Sequence, residues 1–418
     1  MGQDGSKQES SVTGVDGVHV GFPPGSSSYA SSRRASRTGT YDGESSLLQT
    51  FAGSNGAHEI ETLREFHKQV DFTRVPAEEW AEYNFKGASF WGCTLPQHAS
   101  KDALEEQGAN VMVQPEGLPF LAIRAHMQEE LQDMDAAAYQ WFLDNRGIRS
   151  LIAQSIHDFF IQDALMDYLE GKTVVVVMGG HGLKRNSEDY KQVARLGFAL
   201  ANAGYVVATG GGPGAMEATN LGAYMVSRGG EAELEAALNL LIESANPGID
   251  PEYKDVGAAA AVLERYGWPT WEPSLGVPTY VYGHEPSNVF CTWQAKMFSN
   301  AIREDGLIQI ANGGIIYTPG SAGTRQEVFQ AACKNHYAAN GAEVPMVFWG
   351  SKFWSDSGIY DALERNSRDR PMHKWLSLTD SVSEVVEGLV KYYAPDAAGP
   401  CEETAELRAG RRTELVAG

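Results

Sequence analysis

Cysteine is scarce in this chain: four residues in 418, Cys93, Cys291, Cys333 and Cys401, with no C-x-x-C pair and no Cys/His metal spacing. That argues against a disulfide-stapled scaffold and a zinc site, and leaves reduced thiols, with Cys93, Cys291 and Cys333 expected as packing residues. No metal and no other cofactor is expected. Positive charge is short as well. Lys and Arg number 33 against 54 Asp and Glu, a net charge of −21, and a field of that sign repels both a nucleic-acid backbone and an anionic membrane. A small anion held in a local cradle stays compatible with it. No apolar run approaches membrane-spanning length and the N-terminus has no apolar signal core, so the expected location is cytoplasmic.

What is present begins with a tail. Residues 1–56 are rich in Ser and Gly with few large apolar groups, too few to bury the surface that ordering requires, and are expected to be disordered. The first six residues match the N-myristoylation pattern at Gly2, and Arg33-Arg34-Ala35-Ser36 resembles a basophilic kinase site. Both patterns are short, and chance accounts for them better. A hydrophobic content of 43% then supplies ample core for more than one domain.

The informative stretch is Pro319-Gly320-Ser321-Ala322-Gly323-Thr324-Arg325-Gln326-Glu327. It follows the apolar run Ile315-Ile316-Tyr317 and opens into a helical pattern from Val328 to Tyr337. A strand that stops at a Pro-Gly turn and restarts as a helix leaves backbone N–H groups unpaired where the dipole favours negative charge, which makes an anion cradle. Gly320 and Gly323 let backbone approach a ligand, and Thr324 either caps the helix or donates to the anion. Glu327 is then either a working carboxylate at the mouth or half of a capping box with Thr324. Upstream, strand Thr173–Met178 ends in Gly179-Gly180-His181-Gly182. A helix from Asp189 to Ala203 follows, and strand Tyr205–Ala208 ends in Thr209-Gly210-Gly211-Gly212-Pro213-Gly214-Ala215-Met216-Glu217. That order is a parallel β-α-β pattern whose ligands sit at the C-terminal strand ends, so three glycine turns are expected to face one crevice.

At these residues the chain resembles the LOG (Lonely Guy) family, whose signature is a GGGxxGxM-type loop followed downstream by PGGxGTxxE; here they read TGGGPGAMEATNLGA and PGSAGTRQE. The first loop is more like that of the long bacterial nucleotide 5′-monophosphate nucleosidases. VMGGHG, GHEPSNVF, NAIREDGL and FKGASFWGC resemble a long subgroup common in actinobacteria. The resemblance runs over residues 60–393 and implies a doubly wound, mostly parallel, Rossmann-like α/β domain. It also implies cleavage of the N-glycosidic bond of nucleoside 5′-monophosphates to free base and ribose 5-phosphate, and a homodimer or higher homo-oligomer.

The rest of the chain arranges itself around that domain, expected at 148–393. Residues 57–147 read as an accessory mixed α/β region, with a helix over Ile60–Val70, strands at Phe85–Leu95 and Ala109–Val113, and a helix from Ala136 to Phe142. Its aromatics Trp80, Tyr83, Phe85, Phe90 and Trp91 are expected to pack a core, because too few basic residues interleave them for a nucleic-acid platform. A second helix, Ile148–Leu169, leads into the first strand; its His157-Asp158 could in principle serve as an acid/base pair, but neighbouring helix positions point in different directions and His157 is expected to be structural. Residues 228–275 form an insertion with helices at Glu231–Ser244 and Ala258–Tyr266, either a lid or a dimer surface. A strand over Pro278–Tyr282, a helix from Phe290 to Arg303, strand Pro345–Trp349, a helix at Gly358–Arg365, strand Trp375–Leu378 and helix Val382–Tyr393 complete the expected sheet. Residues 394–418 read as a loose tail.

The resemblance assigns roles. Breaking an N-glycosidic bond makes C1′ cationic, so a carboxylate beneath the ribose stabilises the transition state and positions water. Glu327 matches that position. Arg303, on the preceding helix, is the candidate for the family's arginine, or else an ordinary ion-paired residue, with Lys296 as the reserve cation. Phosphate and substrate contacts are expected from Gly180, His181, Gly210, Gly211, Gly212, Gly214, Met216, Asn288, Pro319, Gly320, Ser321, Ala322, Gly323 and Thr324. Two positions depart from the family: Ser321 replaces the second loop glycine, and Gln326 replaces an acidic residue. The leading expectation is a phosphoribohydrolase acting on AMP-like purine nucleotides or cytokinin nucleotides. The alternative is a nucleotide-sensing protein that has kept the cradle and lost hydrolysis.

Overall fold

The computed structural model describes residues 66–68, 72–91, 93, 95–112, 126–245, 256–282, 288–338 and 343–393. The expected tails at 1–56 and 394–418, the Gly2 and Ser36 patterns, Cys401 and the GHEPS segment at 283–287 lie outside the described residues. The chain divides between residues 113 and 114 into two compact units.

In the first unit, strand β1 (Phe66–Lys68), helix α1 (Ala77–Trp80), strand β2 (Ser89–Trp91), helix α2 (Lys101–Glu106) and strand β3 (Asn110–Met112) build a parallel sheet of order β1-β2-β3. Residues 66–68, expected as helix, form a strand because they pair with β2. Phe72, Trp80, Tyr83, Phe85 and Phe90 are buried, with neighbouring rings such as Trp80 and Phe85 4.8 Å apart. Of the aromatics expected to pack, Trp80, Tyr83, Phe85 and Phe90 therefore form a core, joined by Phe72, with rings packed largely edge to face instead of open to a base. Ser100 caps α2 by accepting from the Ala103 N–H.

The second unit opens with β4 (His126–Met127), α3 (Gln128–Asp144) and α4 (Ile148–Tyr168). Then come β5 (Val174–Met178), α5 (Glu188–Asn202), β6 (Val206–Thr209), α6 (Ala215–Met225), α7 (Glu231–Glu243) and α8 (Val256–Tyr266). Next are β7 (Ser274–Gly276), β8 (Trp293–Gln294), α9 (Asn300–Ile310), β9 (Gly314–Tyr317) and α10 (Ala322–His336). The chain ends with β10 (Met346–Trp349), α11 (Ser351–Asp356), α12 (Ile359–Ser367), a 3-10 turn at Pro371–Trp375, β11 (Leu376–Thr379) and α13 (Val382–Tyr393). One eight-stranded sheet runs β11-β10-β9-β5-β6-β7-β8-β4, all parallel except the β4 edge. It is a doubly wound, Rossmann-like α/β sheet. The order reverses at β5, which has β6 on one side and β9 on the other, and the crevice of such a fold opens at that reversal.

Central strands buried on both sides must be apolar throughout, and β5 (Val-Val-Val-Val-Met) is buried at every residue. Helices α5 and α6 cross so closely that a Cβ on Gly222 would sit 1.9 Å from the Ala194 carbonyl oxygen. The insertion helices α7 and α8 join this same layer through Leu234, Leu238, Leu241, Val262 and Leu263. They are part of the core, which explains their apolar stripes without a lid. The unit also claims β4 and α3, which lie inside the 57–147 stretch of the sequence reading; β4 pairs with β8, and Asp135 of α3 binds Lys296.

Two segments differ from expectation. The strand falls at Ser274–Gly276, ahead of Pro278, because proline has no N–H for a ladder; from 278 only a single bridge, Thr279 to Met297, remains. The helix expected over Phe290–Arg303 is instead β8, a turn, and a helix that begins at Asn300 with Ser299 as its cap. Pairing with β7 overrides the weak helical pattern there. Cys291 is buried as expected, whereas Cys333 is exposed on α10.

Candidate functional site

The three glycine turns, after β5, β6 and β9, meet at the strand-order reversal. Backbone hydrogen bonds knit them: the Gly180 N–H donates to the Pro319 carbonyl at 3.1 Å, and the Ala215 N–H to the Gly180 carbonyl at 3.0 Å. Gly214 holds this seam, because it has a φ of 71° and a Cβ there would lie 2.5 Å from the His181 carbonyl oxygen. Behind the β6 turn a buried polar network fixes the loop. Thr209 Oγ1 accepts from the Gly211 N–H, and Asn220 Oδ1 accepts from Thr209 Oγ1 at 2.6 Å and Asn288 Nδ2 at 3.0 Å.

The turns enclose a cavity of about 390 Å³. Of the residues proposed from sequence, Gly180, His181, Gly210, Gly211, Gly212, Met216, Arg303, Ser321, Gly323, Thr324 and Glu327 line it. Gly214, Asn288, Pro319, Gly320 and Ala322 do not; Asn288 and Pro319 are used in hydrogen bonds that hold the turns, and Ala322 begins α10. The cavity wall adds Lys296, named above as the reserve cation, and Pro278, Thr279, Tyr282, Glu304 and Leu307, which were not among the proposed contacts.

Helix α10 begins at Ala322, with Ser321 at the cap position making no side-chain cap bond. Thr324 therefore lies in the first turn and Glu327 in the second, too far along to reach back and close a capping box. Glu327 faces the cavity at 9% exposure. Arg303, on α9, places Nη1 3.8 Å from Glu327 Oε1, close enough for Coulomb attraction and too long for a hydrogen bond. Its Nε is buried without a hydrogen-bond partner. An orphaned guanidinium donor on a cavity wall is a group waiting for an acceptor. Burial pushes the Glu327 carboxyl up to about 7, against the pull of Arg303 and with a further push from Glu304. At neutral pH this carboxyl is divided between its two forms.

The other charges have protein partners. Lys296 is 2% exposed, donates to Asp135 Oδ1 at 2.6 Å and lies over the Tyr280 ring at 4.6 Å. Glu304 accepts from Asn300 Nδ2 at 2.8 Å and from Gln326 Nε2 at 2.9 Å. The residue that departs from the family pattern, Gln326, thus has a local task. His157 is structural, as expected, although it and Asp158 do meet instead of pointing apart: Asp158 accepts from the Phe298 and Ser299 N–H groups at 2.8 and 2.7 Å and lies 3.0 Å from His157 Nδ1. They anchor the start of α9, one turn ahead of Arg303. Such long-range anchors carry no motif, and nothing in the sequence marks Asp135 or Asp158 as their donors' partners. Among the described residues, no group of His, Cys, Asp and Glu is arranged to hold a metal ion, and no helix is long and apolar enough to cross a membrane.

Fold and site together define a Rossmann-like cleft with a helix N-terminus, an arginine and a buried carboxylate at its floor. Residues 172–230, the β5-α5-β6-α6 segment with two of the three glycine turns, match the model of the SLOG cluster4 family, a likeness at the level of the SLOG/LOG-type superfamily. Among solved structures, the chain is similar to the X-ray structure of TM1055, a structural genomics target, at 18% identity and a TM-score of 0.32, over 52% of this chain and 99% of that one. No curated protein matches the chain.

Proposed function

We propose that this protein hydrolyses the N-glycosidic bond of nucleoside 5′-monophosphates, purine nucleotides of the AMP type first, to free base and ribose 5-phosphate. The observation that carries the reading is the Glu327–Arg303 pair, a buried carboxylate and a guanidinium with an unused donor, lining the same cavity as the glycine turns, with Arg303 against Gly210. In this reading the 5′-phosphate lies against the N-terminus of α10 and the turns, where first-turn N–H groups favour an anion. Binding energy spent on the phosphate sets C1′ over Glu327. As the bond from C1′ to the base nitrogen breaks, ionised Glu327 offsets the positive charge on C1′ and orients the attacking water. The water oxygen bonds to C1′, one proton passes to the departing base, and Arg303 steadies the phosphate and sugar oxygens.

A second copy of the chain is part of the proposal. Ile148, Leu151, Ile152, Phe159 and Met166 are 70%, 57%, 52%, 46% and 40% exposed, and their spacing puts them on one stripe of α4. An apolar stripe of that kind marks a contact surface.

The test is to incubate the purified chain, and Glu327→Gln, with nucleoside monophosphates of each base and to separate the products by chromatography. Base and ribose 5-phosphate in equal amounts from the parent, reduced about 100-fold or more in the variant, support hydrolysis. No release, with a monophosphate still raising the melting temperature of both proteins, makes the protein a nucleotide sensor.

A further inference from the structure

Glu304 follows Arg303 on α9, lines the cavity and is only 8% exposed. Each of its oxygens accepts one amide hydrogen bond from behind, Oε1 from Asn300 at 2.8 Å and Oε2 from Gln326 at 2.9 Å. An ionised carboxylate has about four lone-pair sites, so these two bonds fix the plane of the group and leave about half of its accepting capacity unused. None of the described cations forms an ion pair with Glu304. Asn300 Nδ2, which donates to Glu304, also donates to the hydroxyl of Tyr282, another lining residue, at 2.9 Å. The carboxylate is thus positioned by two separate helices and presented to empty space.

A buried carboxylate without a cation needs hydroxyl or N–H donors. Phosphate is excluded as its partner by charge, which agrees with placing phosphate at the α10 end. Glu304 also lies close enough to Glu327 for its charge to push that carboxyl upward. Both carboxylates line the one cavity, and with C1′ over Glu327 the substrate's nearest hydroxyl donors are those on the sugar carbons next to C1′. The ribose 2′-hydroxyl is the first of them, with the 3′-hydroxyl beside it.

We infer that Glu304 is a specificity-determining residue that accepts hydrogen bonds from the ribose 2′- and 3′-hydroxyls, so that the site selects ribonucleotides over 2′-deoxyribonucleotides. This rests on the monophosphate reading of the cavity, though not on turnover. The test measures the affinity of the full chain for AMP and for 2′-deoxy-AMP, with base release from each, in the parent, Glu304→Gln and Glu304→Asp. The parent is expected to favour AMP by about 10- to 100-fold, the worth of a hydrogen bond to a charged acceptor. In Glu304→Gln that ratio is expected to fall below about threefold, through loss on AMP with 2′-deoxy-AMP little changed, and Glu304→Asp is expected to restore part of it. A merely structural role for Glu304 weakens both ligands alike and leaves the ratio intact, which overturns the inference. So does a parent that binds the two nucleotides equally. If AMP is preferred but never cleaved, the hydrolase reading falls and the inference stands. If no monophosphate binds, both fall.

Discussion

Glu327→Gln should change stability as well as activity, and the size of the effect follows from where Glu327 sits. Burial holds its carboxyl at about 7 where the ordinary value is 4.5. Moving the titration that far costs the ionised form about 3 kcal/mol in the folded state. Because the value is raised, the folded protein holds this proton over a pH range in which the unfolded chain has released it. The contribution is fully present below pH 4.5 and is lost as pH rises through about 7. Glutamine has nearly the same shape and no proton to lose. Other titrating groups are shared by the two proteins, so they cancel in the difference. From about pH 5.5 to about pH 8.5 the parent should lose about 2 kcal/mol more than the variant, leaving Glu327→Gln the more stable protein at the alkaline end relative to its acid-side difference. The assay is urea unfolding of both proteins followed by circular dichroism across that range, above the acidic region where a chain of net charge −21 loses its charge. Parallel stability curves for the two proteins, or a parent that gains on the variant as pH rises, would refute the buried-carboxylate account.

Three further outcomes are expected. Asp158→Ala leaves the Phe298 and Ser299 N–H groups without their acceptor at the head of α9; it should cost about 3 kcal/mol in urea unfolding and weaken nucleotide-induced thermal stabilisation by displacing Arg303. Gly214→Ala brings a Cβ to 2.5 Å from a carbonyl at a left-handed φ; it should lower AMP affinity by about tenfold or more in calorimetry, with a stability loss of about 2 kcal/mol, because the seam between the β5 and β6 turns must open. Leu151→Asp places a charge amid the exposed stripe of α4; light scattering should show the mass of a single chain where the parent shows a multiple, and an unchanged mass would rule that stripe out as the contact.

Sequence and structure agree best where a local rule leaves few options. The four-valine run of β5 has to be a buried strand, and the glycine turns after β5, β6 and β9 announce backbone that comes close to something. Glu327 was legible as a residue near the mouth, but its capping alternative is closed by the start of α10 at Ala322, which the sequence does not mark. Other features depend on partners far along the chain. Residues 290–303 carry a mild helical pattern, and only pairing with β7 makes Trp293–Gln294 a strand. Asn288 was expected as a ligand contact; its amide is used on Asn220, 68 residues away. Glu304 sits beside Arg303 in the sequence, yet what gives it interest is the amide of Gln326 on another helix, and no periodicity encodes that meeting.

The central claim is that the turns hold a 5′-phosphate so that ionised Glu327 acts at C1′. The most direct measurement compares adenine release from AMP and from adenosine by the parent and by Glu327→Gln, as a function of pH. The account requires AMP to be the much better substrate, its rate to rise with a midpoint near the Glu327 value of about 7, and the rise to vanish in the variant along with most of the activity. Equal rates on AMP and adenosine, or full activity in Glu327→Gln, would contradict it.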